Sequence, residues 1–505
     1  MSTVFKLPRA VAVQSDGTPY GLAKLYFYVA SSSTPASTYQ DSALTTAHAN
    51  PVVADANGVF PAIYLDQAVS YKVTLKTSAD VLIYTVDPVD DHWTQEQIGA
   101  VLYPRTAAEV AVGVTPSTYS YPAGEIRRYG AVINGVSDDT AAVQDAIDSG
   151  SPVFHPGGTC ILERAVLATG TYIYGIGNAS SIFKLKSGAT TPQILDTNAT
   201  KSNLTIVDCG FDCNSVTSGV AVNLVAAINT KIERCRFTSK YGVYLVGAYK
   251  NIQIVGNTFD ATSYGLIAEP SSTGSDVVIN GNVFVDCTAD GIEINVPTGS
   301  AKNWVITGNV FDNIGANAAN SGFGVGASGG TSYIDGVTII GNTFLECDHQ
   351  AIHIEDGCRN ITIADNTIKD TGKGGTQSYI CGVYVAAAVA ANRAISNVTV
   401  SGNTIFGVSD MDYGIYAAGS YDLNGVTITN NVIQNSLLYG IWLGSVLEGF
   451  TVSGNSVYNS TGPGIRAAGD KGAITNNVCT VIPTGAQTYG IEINTGTDLI
   501  ITDNV

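Results

Sequence analysis

The sequence predicts an all-β fold. It reads as a right-handed parallel β-helix, a solenoid, preceded by a small β-rich domain and a short helical neck. Three observations carry this. A six-residue unit, apolar-x-Gly/Asp/Asn-Asn-x-apolar, recurs as "INGNVF" (279–284), "ITGNVF" (306–311) and "IIGNTF" (339–344). It places Asn at 257, 282, 309, 342, 366, 403, 431, 455, 477 and 504, with gaps of 22 to 37 residues. Most units are followed by Gly and then apolar-x-apolar, as in "DGIEI", "YGIYA" and "YGIWL". No unit shows the 3.6-residue apolar period of a helical repeat.

One repeat is then one rung, with Val, Ile and Phe stacked inside. The repeated Asn is expected to take the left-handed turn conformation and to hydrogen-bond through its amide from rung to rung. Two degenerate units, "IVDCGF" (206–211) and "IERCRF" (232–237), put Cys209 and Cys235 at the Asn position, and Cys287 and Cys347 share another. The nine cysteines form no CxxC pair and no zinc spacing, so they read as stacked core thiols. Longer gaps mark loops, most clearly residues 316–336. Rungs are expected from about residue 165 to 505.

The stretch 126–164 is expected to cap the open end of the first rung. Ser137 or Asp138 is the candidate helix N-cap, Val143 and Ile147 lie one turn apart, and His155 reads as structural. Residues 93–125 form a neck, with a short helix in "WTQEQIGAVLYP", Thr94 as N-cap and Gln97 three residues on. Residues 1–92 lack the rung motif. "YKVTLKTSADVLIYTV" (71–86) alternates as a hairpin, with Ser-Ala-Asp at its turn.

Composition narrows the function classes. With 45% hydrophobic and 13% charged residues the 505-residue chain is not disordered. A net charge of -18 without a basic patch argues against nucleic acid. No run of 18 apolar residues and no secretory signal is seen, so no membrane insertion is expected. No cofactor or metal motif stands out.

The pattern YGA…G…DDT…AI…P.G within 129–158 resembles the start of the pectate-lyase-like β-helices of bacteriophage tailspikes. The segment 39–66, with the hairpin after it, resembles the N-terminal virion-anchoring domain of phage tail fibres and tailspikes. The resemblance implies a homotrimer in the phage tail of the virion, made in the host cytoplasm. Residues 1–92 would dock on other tail proteins. The β-helix would bind, and could depolymerise, a bacterial surface polysaccharide (capsule or O-antigen). The chain stops at "ITDNV", halfway into a rung; either the neck holds a trimer or more chain follows.

In each apolar-x-apolar strand, x points outward. Along the helix this column reads Ala221, Tyr244, Ile267, Glu293, Gly324 or Gly326, His353, Tyr384, Tyr416, Trp442, Arg466 and Glu492. Two residues further on lie Glu269, Asn295, Glu355 and Asn494. Glu293, with Glu269 or Glu355 as partner, is the candidate carboxyl pair for glycosidic cleavage, and His353 a base or orienting group. The Gly rung between Glu293 and Glu355 is expected to leave room for substrate. Asp348, His349 and Asp356 flank that rung. Tyr244, Asn295, Tyr384, Tyr416, Trp442 and Arg466 are candidate substrate contacts, the aromatics offering a flat surface for sugar rings. The same stripe also fits a subunit interface or a plain stabilising ladder. A lyase ranks second because Arg466, the column's one cation, lies far from the acids. A non-enzymatic tail adhesin is the alternative of another class.

Overall fold

The structure, a computed structural model, describes residues 2–4, 10–89, 95–238, 240–315, 321–329, 333–372, 378–388, 393–408, 410–480 and 489–505. The chain divides into two compact units, residues 1–105 with 118–121, and residues 106–117 with 122–505.

In the first unit four antiparallel strands run in the order Val52–Val53, Lys24–Val29, Tyr71–Lys76, Leu82–Val89. Leu25, Phe27, Val73 and Leu75 alternate onto one buried face. The hairpin forms where expected. Thr77 N–H donates to the Val81 carbonyl at 2.9 Å, and Asp80 takes the left-handed turn position (φ 63°). The neck helix covers Gln95–Leu102. Thr94 and the side chain of Gln97 lie outside the described residues.

The second unit opens on a helix that sequence reading missed, Ala107–Val112. Thr106 and Glu109 cap it reciprocally. Glu109 also receives Arg128 (2.8 Å) and the Tyr129 hydroxyl (2.8 Å) in a buried cluster. The capping helix is Thr140–Asp148, and its N-cap is Asp139 rather than Ser137 or Asp138. Asp139 turns its carboxylate back to Val132 and Ile133 N–H (2.7 and 3.2 Å), while Asp138 Oδ1 accepts the Thr140 N–H at 3.0 Å. Val143 and Ile147 are buried in the same core as the first rungs. His155 is structural, as expected. It is buried, hydrogen-bonded to the Ile182 carbonyl, and burial lowers its pKa to about 4. It belongs to the first rung, whose strands are Val153–His155 and Gly158–Leu162, so rungs start before residue 165.

From there the chain winds through three parallel sheets, visited in the same order in each turn: sheet 1 of 15 strands, sheet 2 of 14 and sheet 3 of 13. Phe183, Phe211, Phe237, Phe259, Phe284, Phe311 and Phe344 stack along the interior, with ring centroids 4.6–5.8 Å apart. This column explains the glycine before sheet 3. A Cβ on Gly291 would sit 2.6 Å from the Phe311 ring, and one on Gly324 2.5 Å from Phe344.

The asparagines stack from Asn257 to Asn504. Each main-chain N–H and each Nδ2 donates to the next rung's Oδ1 at 2.9–3.0 Å. Nδ2 is also held by a carbonyl, as by Ile306 O at 2.9 Å from Asn342. The left-handed residue, however, is the one before: Gly256, Gly281, Gly308, Gly341, Asp365, Gly402, Asn430, Gly454, Asn476 and Asp503. The ladder Asn turns its side chain inward and leaves the steric exception to its neighbour, where Gly, Asn and Asp are the tolerated residues. Cys235 continues the column, its N–H donating to Asn257 Oδ1 at 2.9 Å. All nine cysteines are free, and eight are buried.

Candidate functional site

Strand register settles the outward column on sheet 3. It runs Asp196, Asn223, Tyr244, Ile267, Glu293, Gly326, His353, Tyr384, Tyr416, Trp442, Arg466, Glu492. Ala221 is therefore not in it. It is fully buried, and Asn223, two residues on, stands in line. Gly324 lies against Phe344 inside, and Gly326 holds the outward place. In the second column Ser328 stands between Asn295 and Glu355, and Ala386 follows.

The acidic rungs form a cleft of about 560 Å³. Glu293, Asn295, Ser328, His353, Glu355 and Tyr384 line it, and Gln350 at the start of its strand closes it with the turn residues Phe323, His349, Ser378 and Tyr379. Glu293 leans one rung along, and its carboxylate oxygen fills the space over Gly326 where a Cβ would collide. The glycine rung was expected to admit substrate; it admits the Glu293 side chain instead. This shortens the gap between Glu293 and Glu355, whose backbones lie two rungs apart.

Burial raises the pKa of Glu293 well above its ordinary value, and the charges of Asp290, Glu355 and Glu269 push the same way. No hydrogen bond holds the Glu293 carboxylate among the described residues. Asp290 is buried too, but its Oδ1 accepts the N–H groups of Gly322 and Phe323, both at 2.8 Å. Burial still raises the Asp290 pKa to about 7, but these two donors oppose the shift, so Glu293 is the more strongly raised member of the pair. Glu355 shifts downward, chiefly through its pairing with His353, assisted by Ser328 and by the charge of Arg393. His353 Nε2 faces Glu355 Oε2 at 3.6 Å. Its Nδ1 lies 2.8 Å from Gln350 Oε1 and is the donor there, because Gln350 Nε2 is committed to the Tyr379 carbonyl at 2.8 Å. One cleft thus holds one carboxyl whose pKa is pushed up and one whose pKa is pushed down.

Asp290 does a second job. By gripping residues 322 and 323 it holds the Phe323 ring against His353, with centroids 4.1 Å apart. His349 donates Nε2–H to Ser378 O at 2.9 Å, is kept neutral by burial, and has a buried Nδ1 without a hydrogen-bond partner. Asp356, expected to flank the site, is fully buried and accepts the Ala388 N–H at 2.8 Å.

Glu269 is occupied by the Tyr244 hydroxyl. Phe323, His353, Tyr384 and Tyr416 pile face to face, with centroids 4.1, 4.8 and 5.2 Å apart and planes within 16°. Their faces meet one another, so the stripe presents edges and hydroxyls outward rather than the expected flat surface. Trp442 is covered by Tyr439 and by the Arg466 guanidinium, 5.0 Å from its ring, and Arg466 pairs with Glu492 at 3.2 Å.

Sequence reading missed Asp290, Phe323, Gln350 and Tyr379. A signal for three of them was present. The residue before the sheet 3 glycine is Tyr at 241, 264, 413, 439 and 489, but Asp290 and Phe323 in two consecutive rungs around the cleft, followed by Gln350 before Ala351, which takes the glycine's place in the next.

The "Right handed beta helix region" family model matches residues 381–505, and the model described as "Periplasmic copper-binding protein (NosD)" matches residues 190–379. The pre-neck appendage proteins of Bacillus phages PZA and phi29 are 25% identical over 257 residues, 48% of this chain and 26% of theirs. The resemblance to phage tail appendages stands. The chain spans about a quarter of the length of these relatives, as those percentages state. Among solved structures, the Dettilon tailspike protein aligns at a TM-score of 0.45 and 12% identity, over 80% of this chain and 71% of that one. A tailspike mutant of the E. coli bacteriophage HK620, solved with a pentasaccharide, aligns at 0.41 and 11%, over 73% and 77%. Copper appears in the description of the second family model. Among the described residues, no group of three or more His, Cys, Asp or Glu could hold a metal ion.

Proposed function

We propose that this chain is a phage tail appendage whose sheet 3 cleft binds a bacterial surface polysaccharide and cleaves it by hydrolysis. The observation that carries this is the pair of carboxyls lining one cleft, Glu293 with its pKa pushed up by burial and Glu355 with its pKa pushed down by His353. Glu293 is the general acid that protonates the leaving oxygen. Glu355, oriented by His353, is the ionised partner that activates water or attacks the sugar. No lysine or arginine lines the cleft among the described residues, which disfavours a lyase acting on a uronate.

Residues 1–92 would dock on the virion tail and the protein would be a homotrimer, both by family resemblance. Deleting 1–92 should leave glycan binding intact, and ultracentrifugation reads the subunit number. A second reading, a non-enzymatic adhesin, is favoured by the self-satisfied Trp442–Arg466–Glu492 end of the column. Purified protein incubated with host capsule or O-antigen decides between them. New reducing ends, absent with Glu293→Gln, support hydrolysis; binding without any cleavage supports the adhesin.

A further inference from the structure

A second pocket, of about 420 Å³, opens on the corner between sheets 2 and 3, lined by Ser215, Thr217, Thr238, Lys240, Ser263 and Thr288. It occupies the turns of four successive rungs, ending with residues 286–291. That last turn is shared. Thr288 lines this pocket, and Asp290, two residues on, lies beneath the cleft. The stacked rings of Tyr241 and Tyr264, 5.6 Å apart, begin the sheet 3 strands of two of these rungs. Pocket and cleft together cover seven consecutive turns, roughly 29 Å at ~4.8 Å per rung.

The chemistry of the two ends differs. Among the described residues the cleft is lined by carboxyls and by no lysine or arginine. The pocket is lined by hydroxyls and one exposed lysine, whose ammonium lies 5.8 Å from the Tyr241 ring centre and pairs with no carboxylate among the described residues. Asp212 also lines the pocket, but Lys184 pairs with it at 3.0 Å. At the rim, Asn214 and Ser215 are consecutive non-glycine residues in the left-handed region (φ 52° and 57°), a strained arrangement of the kind that gathers at ligand sites.

We propose that this pocket is a second saccharide subsite, in which Lys240 receives the carboxylate of an acidic sugar. The polymer would then lie along the sheet 2–sheet 3 corner, with an uncharged residue at the acidic cleft and a uronate-type residue several rungs toward the N-terminal end. This rests on the saccharide reading of the cleft and adds a charge pattern to the ligand. Serine and threonine hydroxyls supply the neutral contacts, and one ammonium supplies the discrimination.

The test uses the full chain carrying Glu293→Gln, so that ligand stays whole, and an array of bacterial oligosaccharides containing uronic acids, each printed in native and carboxyl-reduced form. Lys240→Gln keeps the stem and removes the charge at an exposed position. The expected result is that it weakens binding of native uronate-bearing glycans by about tenfold or more and leaves the carboxyl-reduced forms unchanged, with the difference fading as salt rises. Unchanged affinity for native glycans, an equal loss on both forms, or no preference of the parent for native over reduced glycans would each overturn the subsite. Cleavage persisting in the Glu293→Gln parent would instead sink the assignment of Glu293 as general acid, and the Lys240 comparison would still be decided by the binding data.

Discussion

The asparagine column inside the β-helix and the outward column of sheet 3 share one period and one scaffold, yet they treat polar groups in opposite ways. Inside, each ladder Asn finds its acceptor in the next rung at 2.9–3.0 Å, so identical residues satisfy one another. Outside, the same spacing gathers unlike residues. Among the described residues, Glu293 sits in the space of a missing side chain without a hydrogen bond, and His349 keeps a buried nitrogen unpartnered. A repeat that closes on itself serves stability. A repeat whose identity changes over consecutive rungs leaves groups held ready for something else.

The sharpest way to break this comparison is Glu293→Gln. Turnover should fall by ~10²–10⁴-fold in a reducing-end assay, with glycan binding retained. The same variant should melt at a higher temperature. Because the folded pKa of Glu293 is raised, the folded state keeps a proton that the unfolded chain releases above about pH 4.3. That difference stabilises the protein at low pH and is lost as pH rises toward the folded pKa. The melting advantage of Glu293→Gln should therefore be larger at pH 8 than at pH 4; an equal gain at both would show that the side chain is not held protonated.

Asn342→Ala should act on stability alone. It strips the acceptor from the Asn309 N–H and Nδ2, both at 2.9 Å, at about 1–3 kcal/mol for each buried donor left unpaired. Urea denaturation should report that loss, and a chain of unchanged stability would remove the ladder from the account of the fold.

Trp442→Ala tests where the outward column stops being functional. With its ring covered by Tyr439 and Arg466, it should cost about 1–3 kcal/mol in stability and leave turnover per folded molecule unchanged. A marked rise in KM would extend the saccharide path to that end. The smallest effect expected is a shift in a pH profile. His353→Gln removes the partner that chiefly holds the Glu355 pKa down. Glu355 must be ionised to act, so the acid limb of the activity profile should move to higher pH while the alkaline limb, governed by Glu293, stays.

The sequence by itself determined whatever repeats once per rung: the parallel β-helix, the asparagine ladder, and the choice of Glu293, Glu355 and His353 as the residues to watch. Periodicity alone is enough for these, because each rung repeats the test. It fell short wherever a position depends on a neighbour out of sequence. Strand register moved the column from Ala221 to Asn223 and chose Gly326 over Gly324, since a two-residue ambiguity preserves the inward–outward alternation. The left-handed turn residue proved to be the one before the ladder Asn, the position where the six-letter unit writes Gly, Asp or Asn. Only the tertiary structure tilted Glu293 over Gly326, turned the tyrosine faces toward one another, and brought Phe323, His349 and Tyr379 around the acids. The reason is physical. A solenoid stacks residues some 22 to 37 positions apart at the distance of neighbouring strands, so the environment of each outward side chain is written by the rungs on either side.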